Sequence, residues 1–570
     1  MLFAPRRLPP LPPDAGHDPE RYEAWVTARE KVRVRRAPGT PHQTLELLML
    51  VTDEPAESLR HTLGSLLAQT SRRWTLTLAV TASRLDEVGS LVRADLPRRR
   101  RRQVRYVVTA DDTPLPERLR RAIAGDTGRP VALVFPGDVW APDAVALLAL
   151  AVTPTGVAYA DEDRITAAGT HAAPVLKPEY SPDFLLASRY VGRPMAIGPG
   201  LATVLSDLVA ADALSLEHEC ALHACHTADS VAHVSEVLCH RSEGWEVPPA
   251  VDREYVRRFL QRRDEQAQVH PGRRAGTFHL QREHADALVS IVIPFRDQPR
   301  FLRTAIDSIR ATTRGESVEL VLIDNGSTDP ETQTLVEALE PAEDVQVLHD
   351  ARPFNWAALN NAGVARATGD VLLFMNNDIE ARQSGWLGAL RAHALRADVG
   401  AVGARLLYPD DRVQHCGVVV GMGGAAGHPL VGLPAEAAGY LDMATVTREC
   451  SAVTGACLAT RRAVFEELGG FDETLGVDLN DIDFCLRAAL RGYRTVFEPA
   501  AELTHHESPS RGTAGGVGDI LRFVERWREY ITRGDRYFNP HLTRIDSSCG
   551  LARAEEEDVW NQWYSTVTQS

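Results

Sequence analysis

Long apolar runs are missing from this chain. No stretch of its 570 residues approaches the roughly eighteen consecutive apolar residues that a membrane-spanning helix needs. The opening MLFAPRRLPPLPPDAG lacks the continuous apolar core of a signal peptide. Cysteine is scarce. The eight present (220, 225, 239, 416, 450, 457, 485 and 549) are expected to be reduced thiols rather than a disulfide framework. Cys220, Cys225, His226, Cys239 and His240 lie near one another in sequence, but their spacing fits no usual zinc-ligand pattern. Basic residues do not dominate either. The 62 Lys and Arg against 77 Asp and Glu leave a net charge of -15 and a pI near 5.7. A general nucleic-acid binder with a basic face is thereby excluded, whereas an anionic nucleotide held by a metal and a few local cations is not. Together these absences point to a cytoplasmic protein.

What is present is globular: 44% hydrophobic and 24% charged residues in a chain too long for one ordinary core. Residues 1–44 are Pro- and Arg-rich and read as a disordered lead-in. From Leu45 onward, strand-like runs (LELLMLV, WTLTLAV, VRYVV, PVALVF) alternate with helical periodicity, the mark of an α/β layered domain with a mainly parallel sheet. Polar residues 251–287 read as a linker with room for one helix. At Leu288 the alternation restarts with LVSIVIP, VELVLI, VQVLH and DVLLFM. The chain thus reads as a tandem of α/β domains, 45–250 and 288–515, followed by a helical or extended tail, 516–570. The Arg98–Arg102 run reads as a solvated loop, with peripheral contact to an anionic membrane or a lipid-linked phosphate as the sharper alternative.

Ligands of open α/β sheets bind at the carboxyl ends of strands, and in the second half polar residues gather there. LVSIVIP leads to Phe295 and Asp297, VELVLI to Asp324-Asn325-Gly326-Ser327, and DVLLFM to Asn376-Asn377-Asp378. Turn chemistry explains one such strand end easily and three poorly. Further on, Asp478, Asp481 and Asp483 open a helix, where N-capping accounts for one or two acids. His505, His506 and Glu507 follow another apolar stretch. GVVVGMGGAAG imitates a dinucleotide fingerprint, but Pro429 and Pro434 break the helix that should follow.

The ordered segments SIVIPFRD, VLIDNGSTD, RPFNWAALNNAGVARATGDVLLFMNNDIE, VQHCGVVVG, SAVTGACLATRRAVFEELGGFDE, NDIDFCLRAALRGY and ELTHHESPSRG resemble the family 2 glycosyltransferases of GT-A fold, in particular bacterial rhamnosyl- and O-antigen-type two-domain members. The resemblance implies an inverting transferase that moves a sugar from a nucleotide diphosphate donor to a glycan or lipid-linked acceptor. It assigns the base pocket to Pro294, Phe295 and Asp324, with Asp297, Asn325, Ser327, Asn361, Asn376 and Asn377 on the donor side. A divalent cation, Mg²⁺ or Mn²⁺, would rest on Asp378, with His506 or His505 as a further ligand. Asp481 would be the general base. One carboxylate suffices there, because the leaving diphosphate is stable as an anion and needs no general acid. Trp386, Gln414, His415 and Gly455 would face the acceptor.

The first half resembles the same family more faintly, through YADEDRI, LKPEYSPDFLLASRYVG and VSEVLCHR. Its metal position, FPGDVW, keeps only Asp138, and near the base position stand Glu217 and Glu219. This half is therefore expected to be a degenerate copy serving as scaffold. A non-catalytic binding partner of another transferase is the alternative for the whole chain, prompted by Asn376 and Asn480 where the family carries acids.

Overall fold

The computed structural model describes residues 18–36, 39, 41–124, 128–210, 212–242, 253–507, 517–553 and 556. It divides into two compact units, Gly16–Phe278 and the part from His279 onward.

In the first unit, strands β1 (Leu45–Leu50), β2 (Trp74–Thr81), β3 (Val104–Thr109), β4 (Val131–Val134), β5 (Val139–Trp140), β6 (Gly156–Ile165), β7 (His171–Val175), β8 (Met195–Ile197) and β9 (Ser230–Ser242) form one sheet in the order β3-β2-β1-β4-β8-β6-β9-β5, with β7 on β6. Strands β10 (Ala267–Pro271) and β11 (Phe278–Arg282) come next. In the second unit lie β12 (Val289–Phe295), β13 (Val318–Asp324), β14 (Val345–His349), β15 (Val371–Met375), β16 (Ile379–Ala381), β17 (Val399–Leu407), β18 (Val413–His415), β19 (Val419–Val420), β20 (Ala426–Gly427), β21 (Arg448–Cys450), β22 (Cys457–Arg461) and β23 (Arg494–His505). Its main sheet runs β14-β13-β12-β15-β22-β17-β23-β16, with β18 on β17 and β21 on β23.

The two strand orders superimpose term by term, and so do the directions. In each sheet the first four strands are parallel. The fifth is antiparallel to both neighbours, the next pair is parallel, and the last strand is antiparallel. The tandem α/β architecture expected from the sequence is present, with half of each sheet mixed rather than parallel. Central strands buried along their whole length explain the continuous aliphatic runs.

Several expectations are corrected. Within the expected lead-in, Pro19–Arg36 is a helix. Its apolar face is only Tyr22 and Val26, too narrow to register as a period. Ion pairs hold it instead, with Arg29 on Glu236 and Arg33 on Asp143 and Glu236. The remainder of 1–17 lies outside the described residues. Arg98–Arg101 is a helical turn rather than a solvated loop. Arg100 is buried there, its guanidinium 5.0 Å from the Trp74 ring centroid. Two expectations agree with the structure: the polar stretch 251–287 holds one helix, Glu254–Arg262, which buries Tyr255, Val256, Phe259 and Leu260, and the tail has helix Val517–Arg533, which buries Phe523, Val524, Trp527 and Ile531.

Candidate active site

The second sheet has its topological switch point between β12 and β15. From β12 the chain proceeds outward through β13 and β14, then returns to the other side as β15. Crevices form at the carboxyl ends of such strands. Here β12 pairs with β15 only through Val292, while its pairing with β13 continues to Phe295 opposite Asp324. Pro294 falls in the part free of β15, where its missing N–H costs no ladder bond.

The β13 end is tightly organised. Asp324 Oδ1 accepts from the Ser327 amide at 2.8 Å, and its Oδ2 lies 3.2 Å from His349 Nδ1. Asn325 donates from its side chain to the Asp350 and Arg352 carbonyls. The Asp297 amide donates to Ser327 Oγ, and Asp297 Oδ1 accepts from the Thr328 and Asp329 amides. Asp297 and Gln298 have positive φ, 53° and 59°, so the chain turns sharply at the crevice rim.

At the β15 end, Asn376 accepts from Trp356 Nε1 at 3.3 Å, and its amide donates to the Ala456 carbonyl at 3.1 Å. One residue earlier, the Gly455 amide donates to Asp481 Oδ2 at 2.6 Å. The Gly455–Ala456 segment thus joins the β15 end to the start of helix Asn480–Leu490. A side chain at Gly455 is excluded, since a Cβ there would lie 2.8 Å from the Trp356 ring and 3.2 Å from Asp481 Cβ. Asp481 is half-buried and open to an incoming group. Asn480 is buried and donates to the Leu475 carbonyl at 3.1 Å, a donation a carboxylate could not make.

Register separates the two histidines. Ile379 faces His505 across β16 and β23, and Glu380 faces Thr504. His505 Nε2 lies 3.1 Å from Asp378 Oδ1, and His505 Nδ1 lies 2.6 Å from Gln414 Oε1. Gln414 donates in turn to Glu507. His506 points the other way, 2.8 Å from Glu380 Oε2 and against the Phe301 ring. Partly buried His428 is held below the ordinary histidine range by burial. Asp481 and Glu507 oppose that shift and His505 adds to it, so all three lie within electrostatic reach of one ring. Asp378, His505, Asp481 and the β12–β15 crevice therefore belong to one neighbourhood. The donor set fits a hard divalent cation, with a buried carboxylate and an imidazole side by side at the crevice.

The family model Glycosyl transferase family 2 matches residues 290–469, which hold the crevice, Asn376–Asp378 and Gly455. The chain carries a glycosyl transferase family 2 domain. A second model, Glycosyl transferase family group 2, matches 435–548 and takes in Asp481 and His505. Among curated relatives, the O-antigen biosynthesis protein RfbC of Myxococcus xanthus is 33% identical over 98% of this chain and 45% of its own length. The protein y4gI of Sinorhizobium fredii is 32% identical over 91% of this chain and 61% of its own. The N-acetylglucosaminyl-diphospho-decaprenol L-rhamnosyltransferase of Mycobacterium tuberculosis is 25% identical over 40% of this chain and 78% of its own. The chain thus spans about half of the first of these relatives and about three fifths of the second.

Not every expected residue of the glycosyltransferase domain reaches the crevice. Trp386 is fully buried in the core, and its Nε1 donates to Thr312 Oγ1, so it is corrected from acceptor contact to packing. His415 is likewise fully buried, 2.9 Å from His428 through the Nδ1 atoms, and burial depresses it well below the usual histidine range. It lies behind the site rather than facing an acceptor. Asn361 is spent on the Phe471 backbone and Glu473, anchoring the loop before Asp481. Gln414 reaches the site through His505. Asp483 also has a packing role, accepting from Arg487, Arg526 and Trp527. Trp356 and His428 were missed by sequence reading, since an indole in a helix and a histidine in a loop carry no local signal. A cavity of about 420 Å³ lined by His279, Arg282, Glu316, Arg391, His393 and Glu498 contains none of the residues at Asp378 or Asp481 and is not the donor pocket.

The first unit shows what became of the equivalent place. Val139 faces His240 across β5 and β9, as Ile379 faces His505, so Asp138 and His240 stand where Asp378 and His505 stand. Asp138 binds the Arg193 guanidinium with both oxygens, at 2.9 and 3.0 Å. Arg193 Nε donates to Glu217 at 2.5 Å, and the guanidinium lies 3.6 Å from the Phe135 ring centroid. All three charged groups are buried. A cation of the chain itself thus lies between the acid at the metal position and an acid near the base position.

Proposed function

We propose that the second unit, residues 288–515, is an inverting glycosyltransferase that uses a nucleotide diphosphate sugar, with dTDP-rhamnose or a UDP-sugar as candidate donors. Its acceptor is a glycan or lipid-linked saccharide in surface-polysaccharide synthesis, the setting named for the Myxococcus relative and, for a lipid diphosphate, the mycobacterial one. The work is placed at the cytoplasmic membrane face, where a lipid-linked acceptor would lie. The first unit is assigned a scaffold role.

The observation that carries the reading is the Gly455–Ala456 link, which ties Asp481 to the strand end bearing Asn376–Asp378. The base packs in the crevice beside Phe295 and Asp324. Asp481 keeps lone pairs on both oxygens after accepting from the Gly455 and Ile482 amides. It takes the proton of the acceptor hydroxyl as that oxygen attacks the anomeric carbon. The carbon–oxygen bond to the diphosphate breaks on the opposite face, and the nucleoside diphosphate departs as an anion. Asp378 and His505 would hold Mg²⁺ or Mn²⁺, which supplies charge neutralisation of the leaving diphosphate.

The test is release of nucleoside diphosphate from a panel of nucleotide sugars with Mg²⁺ or Mn²⁺ and candidate acceptors. Asp481→Asn should lower kcat by about 10²–10⁴ while leaving donor affinity unchanged. Tight donor binding without turnover, identical in wild type and Asp481→Asn, would instead establish a sugar-nucleotide-binding partner of another transferase.

A further inference from the structure

The first unit has a second ligand constellation that its buried guanidinium does not touch. Three strands contribute one residue each: Asp163 from β6, His171 from β7 and His240 from β9. One potential ligand atom from each lies within 4.8 Å of the others. His240 Nδ1 is 2.6 Å from Asp163 Oδ1, and His171 Nδ1 is 3.0 Å from Asp163 Oδ2. The two imidazoles therefore present the same ring nitrogen to the two oxygens of one carboxylate, with their ring centroids 4.4 Å apart.

The surroundings are those of a ligand shell. Tyr22 hydroxyl donates to Asp163 Oδ2 at 2.8 Å, and Glu23 accepts the His171 amide at 2.5 Å. The far nitrogen of His240 faces Glu30 Oε2 at 3.7 Å. Imidazole ligands commonly direct their second nitrogen at a carboxylate, which fixes the ring and raises its basicity. Charge points the same way. Asp163 is fully buried, and Glu30 adds a second carboxylate close by. Arg33, the guanidinium that acts on Glu30, is itself bound to Asp143 and Glu236. A buried carboxylate between two imidazoles can be satisfied by a divalent ion held by all three.

We propose that Asp163, His171 and His240 bind a Zn²⁺ ion, with water as the fourth ligand. Two imidazoles and one carboxylate suit zinc's tetrahedral preference. They differ in kind from the oxygen-rich set that Mg²⁺ demands. The ion fastens helix Pro19–Arg36, through Tyr22, Glu23 and Glu30, to the edge formed by β6, β7 and β9. His240 occupies the register position of His505, so this site is a relocated use of that position and not a second donor site.

The experiment uses the full chain in an Asp378→Asn background, which removes the donor-side carboxylate. After chelator dialysis, Zn²⁺ is added, the protein is desalted, and bound metal is counted by atomic emission while thermal unfolding is recorded. The expected result is one retained Zn²⁺ per chain and a raised unfolding midpoint, both lost on adding His171→Gln. His171 is the least buried of the three, so this variant disturbs packing least. Should it fail to fold, Co²⁺ in the unsubstituted cluster is read by X-ray absorption, where imidazole and carboxylate ligation supports the site. Failure to retain zinc, retention unchanged by His171→Gln, or sulfur ligation overturns it. None of these outcomes bears on activity at Asp481.

Discussion

A one-residue difference in strand register decides which of two adjacent histidines stands beside Asp378. Successive side chains of extended backbone alternate, so His505, the last residue of β23, and His506, just beyond it, project to opposite sides. His505 meets Asp378, and His506 meets Glu380. His505→Ala is therefore expected to raise the Mg²⁺ or Mn²⁺ concentration for half-maximal activity by about 10–100-fold, whereas His506→Ala should leave it within a factor of two or so. Titration of initial rate against metal separates them. The sequence could not choose, because the doublet is symmetric until β16 is known to pair with β23. Asn480 was equally ambiguous. Read alone it is a lost acid, but its bond to the Leu475 carbonyl shows an amide used for donation.

At the scale of elements, the strands of both sheets and the helices between them were legible because each carries a full-length apolar period. What escaped was an element held by polar contacts, helix Pro19–Arg36, with two buried residues and several ion pairs. The second, helix Glu254–Arg262, was legible only as a helix allowed within a polar linker. The second helix docks through His218 on helix Ala213–Thr227. Its Nδ1 lies 2.8 Å from the Tyr255 hydroxyl, and its Nε2 lies 2.6 Å from the Leu185 carbonyl. Burial lowers His218 from 6.5 to about 3 and His226 from 6.5 to about 4. The folded state holds both neutral, while the unfolded chain protonates them below about 6.5. Their contribution to stability is complete above that pH and is lost as the pH falls toward the folded values. Urea denaturation between pH 7 and pH 4 should show the first unit weakening across this window, and His218→Gln should flatten the slope.

Across the whole molecule, two copies of one strand order have taken different courses. Family motifs made the second copy readable. The first was readable only as a fainter resemblance, and not in what its acids bind, because Arg193 lies 55 residues from Asp138 in sequence and the contact appears only when β4, β8 and helix Ala213–Thr227 come together. The triad of Asp163, His171 and His240 was hidden for the same reason. Arg193→Met should leave Asp138 and Glu217 with Arg241, 3.8 Å from Glu217, as their remaining nearby cation and destabilise the first unit by about 3 kcal/mol. Urea unfolding of the full chain measures this, and nucleoside diphosphate release per folded molecule is expected to stay at the wild-type value.

The strap across Asp138 has a consequence for turnover. The cation proposed for the second unit would be exchangeable, free to arrive and leave with its ligand. A guanidinium is fastened to its own backbone and never leaves. The first unit has a rivet where the second is proposed to have a revolving door, with Asp138 and Glu217 both engaged by Arg193.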